Sequence, residues 1–224
     1  MYATASYRNA VEINTAMAGV YKNMGLAVLV SMIVGYFVGT NATLMSFFFT
    51  GITKWIVIFA PLVAVLAMTF TLEKVSKPVA YLMLHGFAAL MGLSFATIFI
   101  VYNMGSIVTA FMGAAVLFGV MSFYGYFTKK DLSSLGSLLF VGLIAIIIAS
   151  VVNIFIGSTV FQMVISAIAI VIFLGLTAYD TQTIRQMIAY DRNDNAEVAG
   201  ALSLYLNFIN LFLHLLQLFG EKND

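Results

Sequence analysis

The sequence predicts an all-α, polytopic membrane protein of seven transmembrane helices. Three observations predict it. Only 8% of the 224 residues are charged while 62% are hydrophobic, seven apolar runs are long enough to cross a bilayer, and the cations gather on one side of those runs. A water-soluble domain has about a quarter of its residues charged, so this chain lacks the polar surface needed to wrap a core in water. A bilayer is the solvent that suits it.

Residues 1–23 form a polar N-terminal segment carrying Arg8, Glu12 and Lys22. The segment has no apolar core followed by a small-residue cleavage site, so it does not read as a signal peptide. Val11, Met17, Val20 and Tyr21 leave room for a short interfacial helix there. Residues 24–224 form the membrane domain, with spans expected near 24–40, 52–72, 78–101, 106–127, 135–156, 160–184 and 199–219. Each is long enough for roughly 30 Å of hydrocarbon at about 1.5 Å per residue. Gly39-Thr40-Asn41, Asn103-Met104-Gly105 and Gly157-Ser158 mark short connections, and the apolar stretch Leu44 to Thr50 suits an interfacial segment. Pro61, inside the second span, is expected to kink that helix or to free a backbone carbonyl. Gly86, Gly92, Gly113, Gly119, Gly136, Gly142 and Gly175 are expected at close helix–helix contacts.

Orientation follows from the cations. Seven spans put Arg8, Lys22, Lys74, Lys77, Lys129, Lys130, Arg185 and Arg192 on the N-terminal side and only Lys54 and Lys222 on the other. Positive charge stays inside, so the N-terminus is expected in the cytoplasm and the C-terminus outside. Lys129-Lys130-Asp131 and Asp191-Arg192-Asn193-Asp194 read as solvated cytoplasmic turns.

Polar groups within the spans carry the information about function, because each is costly unless paired or wet. In the last span Ser203, Asn207, Asn210, His214 and Gln217 follow one another at spacings of 4, 3, 4 and 3 residues. That spacing holds all five on one helical face. Such a stripe must avoid lipid, either lining a wet path or making dry hydrogen bonds between helices. In the sixth span Asp180 precedes Arg185 by five residues, about 7–8 Å deeper in the membrane. Asn207 lies at comparable depth in the next, antiparallel helix, which brings it within reach of Asp180; the alternative is a local pair between Asp180 and Arg185. His85, Asn153 and Gln162 stand alone in the sequence and read as interhelical hydrogen-bonding groups.

Several function classes are excluded. A retinal Schiff base requires a lysine within the last span, and Lys222 lies beyond its end. The two histidines sit apart without nearby carboxylates, so no zinc-hydrolase ligand set forms. The chain has no cysteine, no Gly-x-Ser-x-Gly elbow and no P-loop. There is no basic block for nucleic acid. The expectation is a protein that is not an enzyme and uses no metal or other cofactor.

Gly175 to Arg185, GLTAYDTQTIR, and Gly200 to Gly220, GALSLYLNFINLFLHLLQLFG, resemble the C-terminal signature of the Bax inhibitor-1 (transmembrane Bax inhibitor motif) family. The Lys129-Lys130-Asp131-Leu132 turn, the seven spans and the chain length fit the same family, and the sequence resembles its bacterial members. The resemblance implies a pH-sensitive calcium leak in the bacterial inner membrane, with the last helix central and enclosed by the other six. It also implies two aspartates, one in each of the last two core helices, that share a proton. Asp180 matches the first. Asn207 stands where the second is expected, so the pair cannot share a proton between carboxylates, and weaker pH dependence follows. Asp180 and Asn207 are thus the expected gate, with Ser203, Asn210, His214 and Gln217 as pore-lining candidates, calcium as the transported ion and the lipid bilayer as the surroundings. The competing expectation is a non-conducting regulator that binds other membrane proteins, since some bacterial relatives interact with a membrane protease.

Overall fold

A computed structural model describes residues 8–190 and 195–223. Among these residues the chain is helical, with no strand beyond an isolated bridge between Tyr102 and Lys222. The helices are α1 (Ala10–Gly39), α2 (Ala42–Phe49), α3 (Thr53–Thr71), α4 (Lys77–Phe95), α5 (Ile98–Val101), α6 (Met104–Phe127), α7 (Ser133–Ile156), α8 (Thr159–Tyr190) and α9 (Ala196–Phe219). Seven spans result, α4 and α5 together forming the third, and every one is long and apolar enough to cross a membrane. The expected turn at Asp191 to Asp194, with Arg192, lies outside the described residues.

Helix ends differ from the expected span ends for a physical reason. Apolar patterning reports where hydrocarbon ends, whereas capping reports where the helix ends. α1 begins at Ala10 because the Asn9 side chain accepts the Glu12 N–H at 2.9 Å while the Glu12 carboxylate takes the Asn9 N–H at 3.1 Å. The expected separate N-terminal segment is therefore helical from Ala10 onward and continuous with the first span. At 30 residues, or about 45 Å, α1 outreaches the hydrocarbon. α8 likewise runs on through Arg185 to Tyr190. The apolar stretch after the first span is a helix, α2, started by Asn41 accepting the Leu44 N–H at 3.1 Å. Gly157 ends α7 in the left-handed conformation, φ 68°, where a residue without Cβ is favoured.

The described chain divides into two compact units. The first comprises the chain up to Asn103, Gln186–Tyr205 and the tail from Lys222; the second comprises Met104–Arg185 and Leu206–Glu221.

In the first unit α1 and α4 approach so closely that a Cβ on Gly92 would strike the backbone of Ser31. Ser31 bonds the Ala88 carbonyl at 2.7 Å and the Tyr205 hydroxyl at 2.7 Å. Pro61 is buried within an unbroken α3. The carbonyl it frees, that of Val57, accepts the Ser94 hydroxyl at 2.7 Å, so the cost of the missing backbone bond is met from α4. Asn195 donates to the Leu72 and Val75 carbonyls at 2.8 and 2.7 Å and ties the start of α9 to the end of α3.

In the second unit the close approaches are Gly125 against the Ala178 backbone, Gly136 against the Tyr179 ring, and Gly142 and Gly175 against Ile172 and Leu139. Phe111 and Phe118 meet Phe208 edge-on, at 5.3 and 5.7 Å, a favourable aromatic geometry. Gly86 and Gly119 face open space, and Gly113 makes only an ordinary contact with Leu215; the packing role expected of these three is not what the structure gives them.

α9 is by far the most buried span: 67% of its apolar window is buried, against 17–33% for the other six.

Candidate functional site

The second unit brings Asp180 and Asn207 together. Asp180 projects from α8 and Asn207 from α9, and the Asn207 amide Nδ2 donates to Asp180 Oδ2 at 2.7 Å. Asn207 is buried while Asp180 is partly open. The local alternative for Arg185 is replaced by another partner: its guanidinium donates to the Tyr126 carbonyl at 3.0 Å and lies 4.8 Å from the Tyr126 ring centre, a cation–π contact. Thr181, next to Asp180, points into the unit and donates to Ser122 at 3.4 Å. Gln182 accepts the Leu132 N–H at 2.9 Å and donates to the Lys130 carbonyl at 2.9 Å, which fastens the α6–α7 turn to α8.

The polar stripe of α9 lies on its more open side. Leu204, Tyr205, Phe208, Ile209, Leu211, Phe212, Leu215 and Leu216 are buried, whereas Ser203, Asn210 and His214 are partly open and Gln217 is exposed. Leu206, Leu213 and Leu218 are also partly open, and Asn207 of the stripe is buried, so the accessible side of the helix is mixed rather than purely polar.

The stripe residues differ in what they bond. Asn210 folds back onto its own helix, donating to the Leu206 carbonyl at 2.8 Å. His214 Nδ1 lies 3.3 Å from Ser166 Oγ, and its ring stacks on Phe173 with centroids 6.0 Å apart. Gln217 Oε1 accepts from Ser166 Oγ and from Gln162 Nε2, both at 3.0 Å. Gln162 Oε1 in turn accepts the Asn153 amide at 3.0 Å. Asn153 and Gln162, isolated in the sequence, are therefore members of one chain that ends on the stripe. Ser166, which the sequence reading passed over, is its branch point. The available signal was that Asn153, Gln162 and Gln217 all lie near one end of their spans, each needing a partner. His85 remains apart, and its buried Nδ1 has no hydrogen-bond partner in the structure.

A second polar cluster, missed by the sequence reading, lies in the first unit. Glu197, in the first turn of α9, accepts Lys77 Nζ at 3.0 Å, the Tyr81 hydroxyl at 3.0 Å and the Asn23 amide at 3.1 Å. A Cβ at Gly19 would collide with the Glu197 carboxylate, so only glycine there lets the carboxylate lie against α1. A groove of about 820 Å³ opens beside it, lined by Arg8, Glu12, Lys22, Lys77 and Glu197 among others. Glu197 reads in sequence as an ordinary first-turn acid, and its three donors come from two helices distant along the chain.

Among the described residues no three His, Cys, Asp or Glu side chains gather as a metal ligand set.

The profile of the family described as Inhibitor of apoptosis-promoting Bax1 matches residues 13–224. The chain belongs to the Bax inhibitor-1 family. It is 39% identical to the inner membrane protein YbhL of Escherichia coli strain K12 over 217 residues, covering 94% of this chain and 93% of the relative. An uncharacterized protein of Borreliella burgdorferi is 37% identical over 94% of each chain. The uncharacterized membrane protein SpyM3_0260 of Streptococcus pyogenes is 34% identical over 96% of this chain and 95% of its own. The family match, residues 13–224, spans both helices that carry Asp180 and Asn207.

Proposed function

We propose that this member of the family is a proton-responsive cation leak of the bacterial inner membrane, with calcium as the conducted ion and Asp180 as the titrating group. The observation that carries this reading is the Asp180–Asn207 hydrogen bond beside the more open side of an otherwise buried helix. A carboxylate at membrane depth is retained at a cost, and here one partner is an amide that serves both protonation states. Asn207 donates to the ionised form, and its carbonyl oxygen can accept from the protonated one. Switching between these states repositions Asp180 against a face that carries Asn210 and His214. Similarity to an inner membrane protein of E. coli supports the membrane assignment, and the cation distribution supports a cytoplasmic N-terminus and an outer C-terminus.

The test is calcium flux into liposomes holding the purified protein over a range of pH, beside Asp180→Asn. Flux whose pH dependence disappears in Asp180→Asn supports the reading; no flux from folded protein at any pH rejects it.

A specific observation favours a second reading, a non-conducting regulator that binds other membrane proteins. Gln217 and His214 are engaged by Gln162 and Ser166, as dry interhelical bonding requires. Single cysteines at 210 and 214, in a chain with none of its own, separate the two. A water-soluble thiol reagent labels both in a leak and neither in a dry bundle.

A further inference from the structure

The hydrogen bonds around Gln217 have a direction, and that direction can be followed atom by atom. It starts from a donor whose identity is not in question, the backbone N–H of Ser158, which lies 3.2 Å from Asn153 Oδ1. That contact fixes the Asn153 amide, so its Nδ2 faces Gln162 and donates to Oε1 at 3.0 Å. The Gln162 amide is then fixed in turn, and its Nε2 donates to Gln217 Oε1 at 3.0 Å. The same oxygen takes the Ser166 hydroxyl at 3.0 Å, filling its two lone pairs. A serine hydroxyl has a single proton. With that proton committed to Gln217, Ser166 Oγ can only accept from the remaining neighbour, His214 Nδ1, at 3.3 Å. His214 therefore carries its proton on Nδ1. Gln217 also bonds the imidazole, and the other ring nitrogen, Nε2, is not among the buried atoms left without a partner. Phe173, stacked on the ring, restricts its rotation.

We propose that Gln217 and Ser166 are positioning residues that lock neutral His214 as the Nδ1–H tautomer, so that Nε2 presents a lone pair on the polar face of α9. In water neutral histidine favours the opposite tautomer, which would turn a donor towards that face. A lone pair there accepts a hydrogen bond from the hydration shell of a cation, where an N–H would repel it. Asn210, one turn away on the same face, has its donor engaged with Leu206 and leaves its carbonyl oxygen for the same task. Asp180, across on α8, supplies the carboxylate. The face thus offers acceptors, the chemistry of a weak cation path. This inference rests on the reading of that face as the ion route, and its test does not depend on flux.

The test uses the full-length protein in lipid bilayers with ¹⁵N-labelled histidine, at a pH above the imidazole range. The chain has two histidines, and His85→Gln leaves the His214 signals alone. Nitrogen chemical shifts distinguish the protonated from the lone-pair nitrogen. The expected result is protonated Nδ1 and unprotonated Nε2. Gln217→Leu frees the Ser166 proton and is expected to move the histidine proton towards Nε2, while Gln217→Glu, which keeps an acceptor, retains the Nδ1–H form. Ser166→Ala gives the same loss as Gln217→Leu should the latter fail to fold. A wild-type ring protonated on Nε2, or a tautomer unmoved by both Gln217→Leu and Ser166→Ala in folded protein, overturns the proposal. Loss of flux dependence on Asp180 together with the expected tautomer would reject the leak alone.

Discussion

Glu197 and Asp180 are both partly buried carboxylates on the last two long helices, yet they are held in different ways. Glu197 meets a full positive charge, Lys77, and two neutral donors, Tyr81 and Asn23. The ammonium makes this a charge-assisted cluster in which three donors converge on one carboxylate. Asp180 meets Asn207, an amide that can donate or accept. The first arrangement is a charged pair that fastens the start of α9 to α1 and α4. The second tolerates two states. A carboxylate's partner therefore distinguishes a clasp from a switch better than its burial does.

Breaking the clasp gives the largest expected loss of stability. Glu197→Ala strands Lys77, Tyr81 and Asn23 together and costs about 3 kcal/mol, reduced by the 40% exposure of the Lys77 side chain. Chemical or thermal unfolding in bilayer mimetics measures it, and Lys77→Met in the same background is expected to add little, because its partner is already gone.

Asn207→Asp sharpens the comparison by turning the switch into a two-carboxylate site. Two acids 2.7 Å apart cannot both ionise cheaply, so one proton is held to higher pH. A folded-state pKa raised above the unfolded value contributes stability at low pH that is lost as pH rises through it. Unfolding of the variant measured against pH is expected to show a loss of about 2 kcal/mol towards high pH. Asp180→Asn has a smaller effect on stability, about 1 kcal/mol or less, because two amides still bond. It nevertheless removes the titrating group.

The smallest effect is at the α6–α7 turn, where Asp131 accepts the Ser133 hydroxyl at 2.6 Å and its N–H at 2.9 Å. These bonds hold the Asp131 carboxyl below its ordinary value. The depressed pKa means the contribution is present above the usual carboxylate range and lost as pH falls through the lowered value. Asp131→Ala is expected to lower the unfolding midpoint slightly at neutral pH and to match wild type in strong acid.

What was legible in the sequence divides along the same physical line. Charge scarcity and the seven apolar runs gave the spans, because lipid imposes the pattern residue by residue. The stripe on α9 was legible because helical periodicity is local, and the Asp180–Asn207 pairing followed from depth in two consecutive antiparallel helices. The Glu197 cluster was not legible, since its donors come from Asn23, Lys77 and Tyr81, distant in sequence, and depend on a glycine at position 19 giving way. Nor was the role of Ser166, a small hydroxyl in an apolar helix whose value lies in its one proton. The N-terminal extension of α1 was missed because hydropathy falls there, although the Asn9 and Glu12 spacing carries the capping box in plain view. The even weighting of the intramembrane glycines failed at Gly86 and Gly119, which face open space, because packing depends on which way a residue faces as well as on its size.

The proposed function makes Asp180, answered by Asn207, the group that sets the proton response of a cation path. Calcium flux against pH in liposomes, for wild type and Asn207→Asp reconstituted alike, tests it. The expected wild-type profile has weak pH dependence, and the Asn207→Asp profile is steeper, its midpoint moved to higher pH by the shared proton. Superimposable profiles, from two proteins equally folded and equally inserted, would contradict it.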